Sequence, residues 1–272
     1  ITNIGPAHLE FFGSLDGVYR AKTELWKYIE KSGSGVFVNM DDPFLRKKIP
    51  HVPEVVEYGL THAKDVRGEL VGMDSSGHPR FRVDGLEIQL SVPGMHNVHN
   101  ALAAVAVGRK FGVSDEQIKR ALENFQSADK RMQIIEAGGI KIINDCYNSN
   151  SASAKRALET LSQMETDGRK IAILGDMFEL GKLSEQEHFG VGDYCAELGN
   201  IEYLLAVGEK SQFMKKGASP KMKKRALHFS EKKSLAKYLL KLLAPGDLVL
   251  IKGSRGMAME EITKFIVENF KG

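Results

Sequence analysis

The hydrophobic pattern of the first half predicts helices that alternate with short strands. Apolar residues recur at helical spacing through SLDGVYRAKTELWKYIEKSG, with Ser14 as the candidate N-cap and Gly33 as the stop. The run GVFVN at residues 35–39 predicts a buried strand. Residues 67–92 change to a β pattern, in which an Asp-Gly pair predicts a hairpin turn.

Two further helices are predicted before the middle of the chain. The run HNVHNALAAVAVGRKFG has an alanine-rich interior that indicates close packing. The next run, VSDEQIKRALENF, places Ser114 and Gln117 at the spacing of a capping box. We expect Leu122 and Phe125 to lie on the apolar face of this second helix.

The rhythm of the pattern changes after Arg131. The run MQIIEAGGIKIIND predicts a hairpin around two glycines, and four strand-then-helix units follow it. Several of these strands are continuous apolar runs, which is typical of a parallel sheet covered by helices on both faces. The sequence therefore predicts α/β domains with a boundary near residues 130–135.

Composition adds broad limits. The chain of 272 residues suits about two domains, and its formal net charge of +3 does not indicate a polyanionic partner. We predict that the basic run Lys215–Arg225 is a solvated loop. No apolar run reaches the roughly 20 residues of a membrane helix. Cys146 and Cys195 lack metal-site spacing, which favours a reducing cytosol, although a disulfide between them stays open.

Polar residues follow the predicted strands of the second half, where ligands bind in open α/β sheets. The strand ends read Asp145–Asn148, Gly175–Met177, Gly208–Glu209 and Lys252–Arg255. Loops between strands and helices are polar in most proteins. For any single loop, a binding site and an ordinary solvated turn are therefore about equally good interpretations.

Other candidate residues lie before this edge. A strand-like apolar run at residues 1–4 precedes His8, whose imidazole can bind a divalent metal or a phosphate, although a lone histidine is more often structural. Lys22 in isolation is an ordinary surface lysine of a helix. Asn97 and Asn100 share one helix face and can match an adenine edge, with an N-cap role for Asn97 as the alternative.

Two more pairs have the spacing or chemistry of a site. His96 and His99 could bind a metal, but no third ligand follows at metal-site spacing. Arg131 and Asp145 flank one hairpin, where an arginine can neutralise a phosphate and an aspartate can bind a ribose hydroxyl. Both are also common ion-pair residues, so the pieces together indicate a nucleotide site without defining it.

Taken in order, six motifs resemble one family. The motifs TNIGPAHLEFFGS with RAKTEL, VPGMHNVHNALAA, KRMQ, INDCYNSN, ILGDMFELG and IKGSRGMAMEE are similar to the Mur ligases of peptidoglycan synthesis, and three of them resemble the MurF type. The resemblance implies an α/β fold. An incomplete central P-loop-type ATPase domain at residues 1–131 would be followed by a Rossmann-like C-terminal domain at residues 132–272.

The resemblance also implies an activity. The MurF type is an ATP-dependent ligase that adds D-alanyl-D-alanine to UDP-N-acetylmuramoyl tripeptide through an acyl phosphate, with Mg²⁺ as the metal. His8 matches a magnesium ligand, Lys22 matches a carbamoylated lysine that supports the metal, and Arg131 matches a phosphate contact. These three residues are the catalytic candidates. Lys130 stands where relatives often have glycine or histidine.

Binding residues follow from the same motifs. Asn97 and Asn100 match the adenine contacts of ATP, and Asp145 matches the ribose contact. The residues expected to face the tripeptide or the dipeptide are Tyr147, Asn148, Asn150, Asp176, Glu179, Lys252, Ser254 and Arg255. We expect a cytoplasmic monomer with these small-molecule substrates, no nucleic-acid partner and no membrane span.

The family's P-loop pattern, G-x-x-G-K-[ST], does not occur in the chain. Gly181 and Lys182 are followed by Leu183, and Lys252 precedes its glycine. We therefore expect a fragment without the P-loop and the UDP-binding domain, inactive by itself and little stabilised by ATP. The alternatives are a sister Mur ligase, a folylpolyglutamate-synthase-like ligase, or a non-catalytic module that complements a separate N-terminal half.

Overall fold

The computed structural model describes residues 1–6, 8–126 and 130–270. The chain divides into two compact units, here called unit 1 (residues 1–126) and unit 2 (residues 127–272). Each unit contains one β-sheet with helices packed against it.

Unit 1 is built on a mixed sheet. Its helices are α1 (Leu9–Phe12), α2 (Leu15–Ser32), α3 (Pro43–Lys47), α4 (His96–Lys110) and α5 (Asp115–Glu123). Its strands are β1 (Val36–Asn39), β2 (Val55–Gly59), β3 (Val66–Met73), β4 (Pro79–Val83) and β5 (Leu86–Gln89). The strand order is β1-β2-β3-β4-β5, with parallel pairing from β1 to β3 and antiparallel pairing from β3 to β5.

Local signals in unit 1 are largely confirmed. The side chain of Ser14 accepts the N–H of Gly17 at the start of α2, and Gly33 ends that helix with φ 71°. The capping box of Ser114 and Gln117 is present at α5. The hairpin between β4 and β5 forms at the predicted Asp-Gly turn.

Two predictions for unit 1 are wrong. Residues 1–4 form no strand; their backbone is tied by side chains instead, as where Asp42 accepts the N–H of Ile4 at 2.8 Å. A strand needs a neighbouring ladder, and none pairs with these residues in the described part of the chain. Phe125 lies beyond the end of α5 and is 55% exposed, whereas Leu122 packs against the core.

Unit 2 is built on a six-stranded sheet. Its strands are β6 (Gln133–Ala137), β7 (Ile140–Asp145), β8 (Lys170–Gly175), β9 (Tyr203–Val207), β10 (Ala226–Phe229) and β11 (Leu248–Lys252). Its helices are α6 (Ser151–Gln163), α7 (Ser184–Glu197), α8 (Gln212–Met222), α9 (Lys232–Leu242) and α10 (Glu260–Asn269). The strand order is β10-β9-β8-β11-β7-β6, parallel throughout except for the β6–β7 hairpin.

Both faces of this sheet are covered, as predicted. Alternate strand residues join two separate cores: one contains residues of α6, α7 and α8, and the other contains residues of α9 and α10. The period of two along each strand therefore places neighbouring apolar residues on opposite faces, which explains why the strands read as continuous apolar runs.

The basic run Lys215–Arg225 is not a loop, and that prediction is wrong. Helix α8 continues to Met222, and a 3₁₀ turn covers residues 223–225. Met214, Ala218 and Met222 recur every four residues and are buried in the core. Burial of this narrow apolar stripe stabilises a helix whose remaining surface is basic.

Candidate functional site

The ends of three neighbouring strands meet at one edge of unit 2. In the parallel register, Lys252 at the end of β11 lies opposite Asp145 of β7 on one side and Leu174 of β8 on the other. The loops that follow these strands carry most of the residues predicted to bind substrate. The fold therefore brings the strand-end motifs together, as expected for an open α/β sheet.

A buried ion pair joins two of these strand ends. The Nζ of Lys252 donates to the Oδ2 of Asp145 at 2.6 Å and to the carbonyl oxygen of Asn148 at 2.8 Å, and Lys252 is 3% exposed. The other carboxylate oxygen of Asp145 accepts the N–H of Met132 at 3.2 Å. Lys252 thus orients Asp145, and its ammonium has little surface left to meet a ligand.

Ser254 links the loops after β7, β8 and β11. Its hydroxyl accepts the N–H of Phe178 at 2.8 Å and donates to the carbonyl of Ser149 at 3.2 Å. Its own N–H donates to the carbonyl of Asp176 at 3.0 Å. Since Ser254 is 2% exposed, these bonds make it a brace between the loops.

The side chain of Asp176 holds the loop that leads into α8. Its carboxylate accepts the N–H groups of Glu209, Lys210 and Ser211 at 2.9, 3.1 and 2.7 Å. Gly208 approaches this carboxylate so closely that an added Cβ would overlap it, and its φ is 127°. The aspartate therefore acts on the loop backbone, and only glycine fits beside it.

The eight predicted substrate residues fall into two groups. Asn150 caps α6 by accepting the N–H of Ser153 at 2.9 Å, so it has a structural contact as well, like Asp176, Lys252 and Ser254. Side chains at the surface belong to Tyr147, Asn148, Glu179 and Arg255. The four exposed side chains are accessible to a ligand, whereas the other four are largely engaged in contacts within the protein. The ligand roles of all eight stay predictions.

Two guanidinium groups lie near one exposed aromatic ring. The Cζ of Arg131 is 3.9 Å from the centroid of the Tyr147 ring, and the Cζ of Arg255 is 5.4 Å from it. Tyr147 is 40% exposed. The ring attracts both cations and holds positive charge at the strand ends, where an anionic group can approach.

Lys130 fixes the backbone just before Arg131. Its φ is 63°, a left-handed conformation that suits glycine, and its Nζ donates to the Oε1 of Glu260 at 2.6 Å. Burial acts to raise the pKa of Glu260, but the hydrogen bond from Lys130, a backbone hydrogen bond and the charges of Lys130 and Lys232 together lower it. A surface ion pair of this kind contributes at most about 1 kcal/mol, so it offsets only part of the roughly 1–2 kcal/mol that a left-handed backbone costs a non-glycine residue.

The unit 1 candidates are more exposed. His8 precedes α1 with φ 53°, and its ring meets the edge of the Phe12 ring at 6.5 Å between centroids. The Nζ of Lys22 donates to the carbonyl of Asn3 at 3.0 Å. Partial burial lowers the pKa of Lys22, while the carboxylate of Asp42 opposes the change. A lower pKa raises the fraction of neutral amine, the form that reacts with carbon dioxide.

These residues do not by themselves fit a protein-built magnesium site. Mg²⁺ prefers octahedral oxygen ligands, whereas the imidazole of His8 and the amine of Lys22 both offer nitrogen. Outside the few residues left undescribed, no group of three or more His, Cys, Asp or Glu could hold a metal ion. Within the part of the chain that the structure describes, His96 and His99 belong to no such group.

The two asparagines of α4 meet as predicted. The Nδ2 of Asn100 donates to the Oδ1 of Asn97 at 3.1 Å, and the Nδ2 of Asn97 donates to the carbonyl of Pro93 at 2.8 Å. Asn97 therefore reaches back along the chain and does not cap the helix. Asn100 is the more exposed of the two, so Asn97 orients the carboxamide that can meet a ligand.

The sequence analysis missed a second aspartate that, like Asp176, accepts three backbone N–H groups of a neighbouring loop. Asp41, after β1, accepts the N–H groups of Leu60, Thr61 and His62, which follow β2. The Nε2 of His99 lies 3.1 Å from its Oδ2. An acidic residue within two positions of the end of a buried strand was the available signal, and both aspartates show it.

His188 was also missed. It is fully buried in α7; its Nε2 accepts the N–H of Met177 at 2.9 Å, and its Nδ1 lies 2.7 Å from the carbonyl of Ser184. These partners require a neutral ring with the proton on Nδ1. Burial lowers the pKa of His188, which favours the same neutral form. Through its bond to Met177, the ring holds the loop after β8 in place.

Comparisons with known proteins agree with this architecture. Residues 1–108 match the family model of the Mur ligase middle domain, and residues 130–255 match the Mur ligase, glutamate ligase domain. The UDP-N-acetylmuramoyl-tripeptide–D-alanyl-D-alanine ligase of Bacillus subtilis is 33% identical over 273 residues, covering 99% of this chain and 59% of the relative. The Escherichia coli enzyme of the same name is 30% identical over 99% of this chain and 60% of the relative.

Solved structures give the same result. MurF from Acinetobacter baumannii superposes with a TM-score of 0.87 at 31% identity, covering 98% of this chain and 59% of that one. MurF from Thermotoga maritima in complex with ADP superposes with a TM-score of 0.83 at 24% identity, covering 98% and 61%. The fold therefore places this two-unit α/β protein in the structural class of the Mur ligases.

The chain belongs to the Mur ligase family. It spans about three fifths of the length of the curated relatives that it matches. Across the residues that the structure describes, no helix combines the length and the apolar character needed to cross a bilayer.

Proposed function

We propose that this chain provides the middle and C-terminal parts of an ATP-dependent ligase that joins D-alanyl-D-alanine to UDP-N-acetylmuramoyl tripeptide. The observation that carries the proposal is the 33% identity over 99% of the chain with the Bacillus subtilis ligase of that specificity. The strand-end geometry supports it, because the residues predicted to face the substrates gather at one edge of unit 2.

The chemistry requires two anionic reactants to meet. ATP phosphorylates the terminal carboxylate of the tripeptide, and the amine of D-alanyl-D-alanine then attacks the acyl phosphate and displaces phosphate. Arg131 and Arg255, held at the Tyr147 ring, supply positive charge that lowers the repulsion between these anions. Lys252 acts indirectly by orienting Asp145, the predicted ribose contact.

Nucleotide recognition is assigned in unit 1 to Asn100, with Asn97 as its positioning residue. A carboxamide presents both a donor and an acceptor, which matches the edge of adenine. ATP as co-substrate is supported by the ADP complex of the Thermotoga maritima MurF. Mg²⁺ with His8 and carbamoylated Lys22 stays a prediction from the family resemblance.

Location and assembly belong to the same proposal. We keep the cytoplasm and a monomer as the expected state. Both cysteines are free and buried, and burial raises the pKa of Cys146 and of Cys195 to about 12, so neither is a reactive thiolate.

A sister ligase is the second candidate. The UDP-N-acetylmuramate–L-alanine ligase of Persephonella marina is 28% identical over 277 residues and covers 98% of this chain. Because this identity is lower than that with the Bacillus subtilis ligase, we expect the amine substrate to be D-alanyl-D-alanine and not a single amino acid.

A chimera tests the proposal. The upstream part of the Bacillus subtilis ligase, fused to this chain, is assayed for phosphate release with ATP, UDP-N-acetylmuramoyl tripeptide and different amines. We expect release that requires D-alanyl-D-alanine and falls by about 100-fold or more in Arg131→Gln, since a phosphate contact is lost. Preference for a single amino acid would assign the chain to a sister ligase.

The chain by itself provides the controls. It should release no phosphate with the same substrates, because it contains no P-loop pattern. If the chimera does not fold, saturation-transfer NMR on the chain alone compares D-alanyl-D-alanine with L-alanyl-L-alanine. Equal saturation of the two dipeptides would contradict the proposed amine site.

A further inference from the structure

The positive charge of this chain is concentrated in one segment. Residues 210–241 contain ten lysines, one arginine and a single acidic residue, a net charge of +10. The whole chain carries only +3, so the other 240 residues carry −7. The small net charge therefore conceals a strong asymmetry, which can direct association with an anionic partner.

The fold places this segment at one edge of the unit 2 sheet. It comprises α8, the edge strand β10 and α9, and β10 pairs with β9 only. Helix α8 packs into one core and α9 into the core on the opposite face. The two basic helices therefore enclose the β10 edge from both faces.

Most of these charges are exposed and lack a carboxylate partner. Lys210, Lys221 and Lys232 form ion pairs with glutamates or an aspartate. In the described part of the chain, no ion pair involves the eight other basic residues, all of them exposed: Lys215, Lys216, Lys223, Lys224, Arg225, Lys233, Lys237 and Lys241. We name these eight residues the basic edge.

Helix α9 adds an apolar side chain to the basic edge. Lys233, Lys237 and Leu240 follow one another at spacings of four and three residues, so they share the outer face of the helix. Leu240 is 49% exposed, although Leu235 and Leu239 of the same helix are fully buried. An exposed leucine among lysines suits an interface where charge meets hydrocarbon.

We propose that the basic edge binds the surface of a bilayer that contains anionic phospholipid. The lysines would lie against the headgroups, and Leu240 would enter the boundary between headgroups and acyl chains. Such binding is electrostatic, reversible and independent of the ligase reaction, because the residues of the basic edge lie outside the predicted substrate contacts.

A nucleic acid fits the same charge less well. Sequence-tolerant nucleic-acid sites add aromatic side chains on which bases stack, and readers of phosphate geometry favour arginine. Here one residue of the eight is an arginine, and the three aromatic side chains of residues 210–241, Phe213, Phe229 and Tyr238, are all partly buried, with Phe213 already covered by Lys216 at 4.3 Å. Charges beside an edge strand also prevent strand pairing, but Lys237 and Lys241 belong to helix α9 and not to β10 itself.

Vesicle sedimentation of the whole chain tests the proposal. We expect at least about tenfold more binding to phosphatidylcholine vesicles with about 30% phosphatidylserine than to phosphatidylcholine alone. Raising NaCl from about 0.05 M to about 0.5 M should abolish the difference, since salt screens the lysines. The variant K233Q/K237Q/K241Q should bind at least about fivefold less, and Leu240→Ser should weaken binding by a smaller factor.

Matched controls keep the test decisive. K27Q/K31Q/K47Q removes the same charge from exposed positions of unit 1 and should bind within about twofold of the parent chain. K215Q/K216Q/K224Q repeats the loss on the α8 side if the α9 variant unfolds by circular dichroism. Equal binding to both vesicle types, equal loss in the unit 1 control, or binding to a DNA duplex without vesicle binding would overturn the proposal.

Discussion

Asp41 in unit 1 and Asp176 in unit 2 perform the same local task in different surroundings. Each follows a strand of a parallel pair and accepts the N–H groups of three consecutive residues after the neighbouring strand. In both cases a glycine, Gly59 or Gly208, precedes the three donors and has no space for a Cβ beside the carboxylate. In both units, therefore, a carboxylate after one strand fixes the backbone of the loop after the neighbouring strand.

The surroundings of the two carboxylates differ. Asp176 is 5% exposed and lies among braced loops, whereas Asp41 also meets the rings of His99 at 3.1 Å and His62 at 3.4 Å. Burial acts to raise the pKa of Asp41, but the three backbone donors and His99 together lower it. The carboxylate of Asp176 is thus enclosed by the loops around it, whereas that of Asp41 is 14% exposed and lies beside two histidine rings.

Unfolding of the two units can be followed separately. Trp26 is the only tryptophan, and it is buried in unit 1, so its fluorescence reports on that unit. Hydrogen exchange of peptides from β8 and β11 reports on unit 2. Urea unfolding followed by both measurements therefore assigns a change in stability to one unit or the other.

The largest contrast concerns two lysines. Lys252→Met should destabilise unit 2 by about 3–5 kcal/mol, because it leaves the Asp145 carboxylate without its buried partner. Lys22→Met, which removes one exposed bond to a carbonyl, should cost unit 1 less than about 1 kcal/mol. Similar losses of unfolding free energy in the two variants would show that Lys22 is as important to unit 1 as Lys252 is to unit 2.

The two aspartates come next. Asp176→Asn should cost about 3 kcal/mol, since one amide oxygen cannot accept all three N–H groups and the amide nitrogen opposes a donor. Asp41→Asn should cost about 1.5 kcal/mol, because water can reach part of its loop. A larger loss at Asp41 would mean that its histidine contacts matter more than burial.

A smaller effect depends on pH. Burial lowers the pKa of His188 below its usual 6.5, so the unfolded chain takes up the proton first as the pH falls. The contribution is complete above pH 6.5 and is lost below it, by at most about 1.4 kcal/mol at pH 5.5. His188→Gln keeps both hydrogen-bonding roles and should have a flatter stability profile from pH 7.5 to 5.5. An unchanged slope would remove His188 as its source.

The smallest effect is expected at His8. His8→Asn tolerates the left-handed backbone of this position and should change the stability of unit 1 by less than about 0.5 kcal/mol. In the chimeric ligase the same variant should lower phosphate release, because its role is predicted to be chemical. A stability loss comparable to that of Asp41→Asn would instead indicate a structural histidine.

Local chemistry could be predicted from the sequence with few errors. The cap at Ser14, the stop at Gly33 and the capping box of α5 depend on residues within one helical turn of each other. Hairpins and the two-faced sheet of unit 2 follow from periodicity over short windows. The candidate residues at the strand ends could be found because parallel strands must end at a common edge.

Long-range partners decided the rest. Residues 1–4 have a strand-like composition but no ladder to join, and the lysine-rich run became helix because three apolar residues met the core. Sequence alone could not separate Lys252, which is enclosed by Asp145 and Asn148, from the exposed Arg255 three residues later. Periodicity and caps are set by neighbours in the chain, whereas burial and pairing depend on distant residues: Asp42 lies 38 positions from Ile4, and Asp145 lies 107 positions from Lys252.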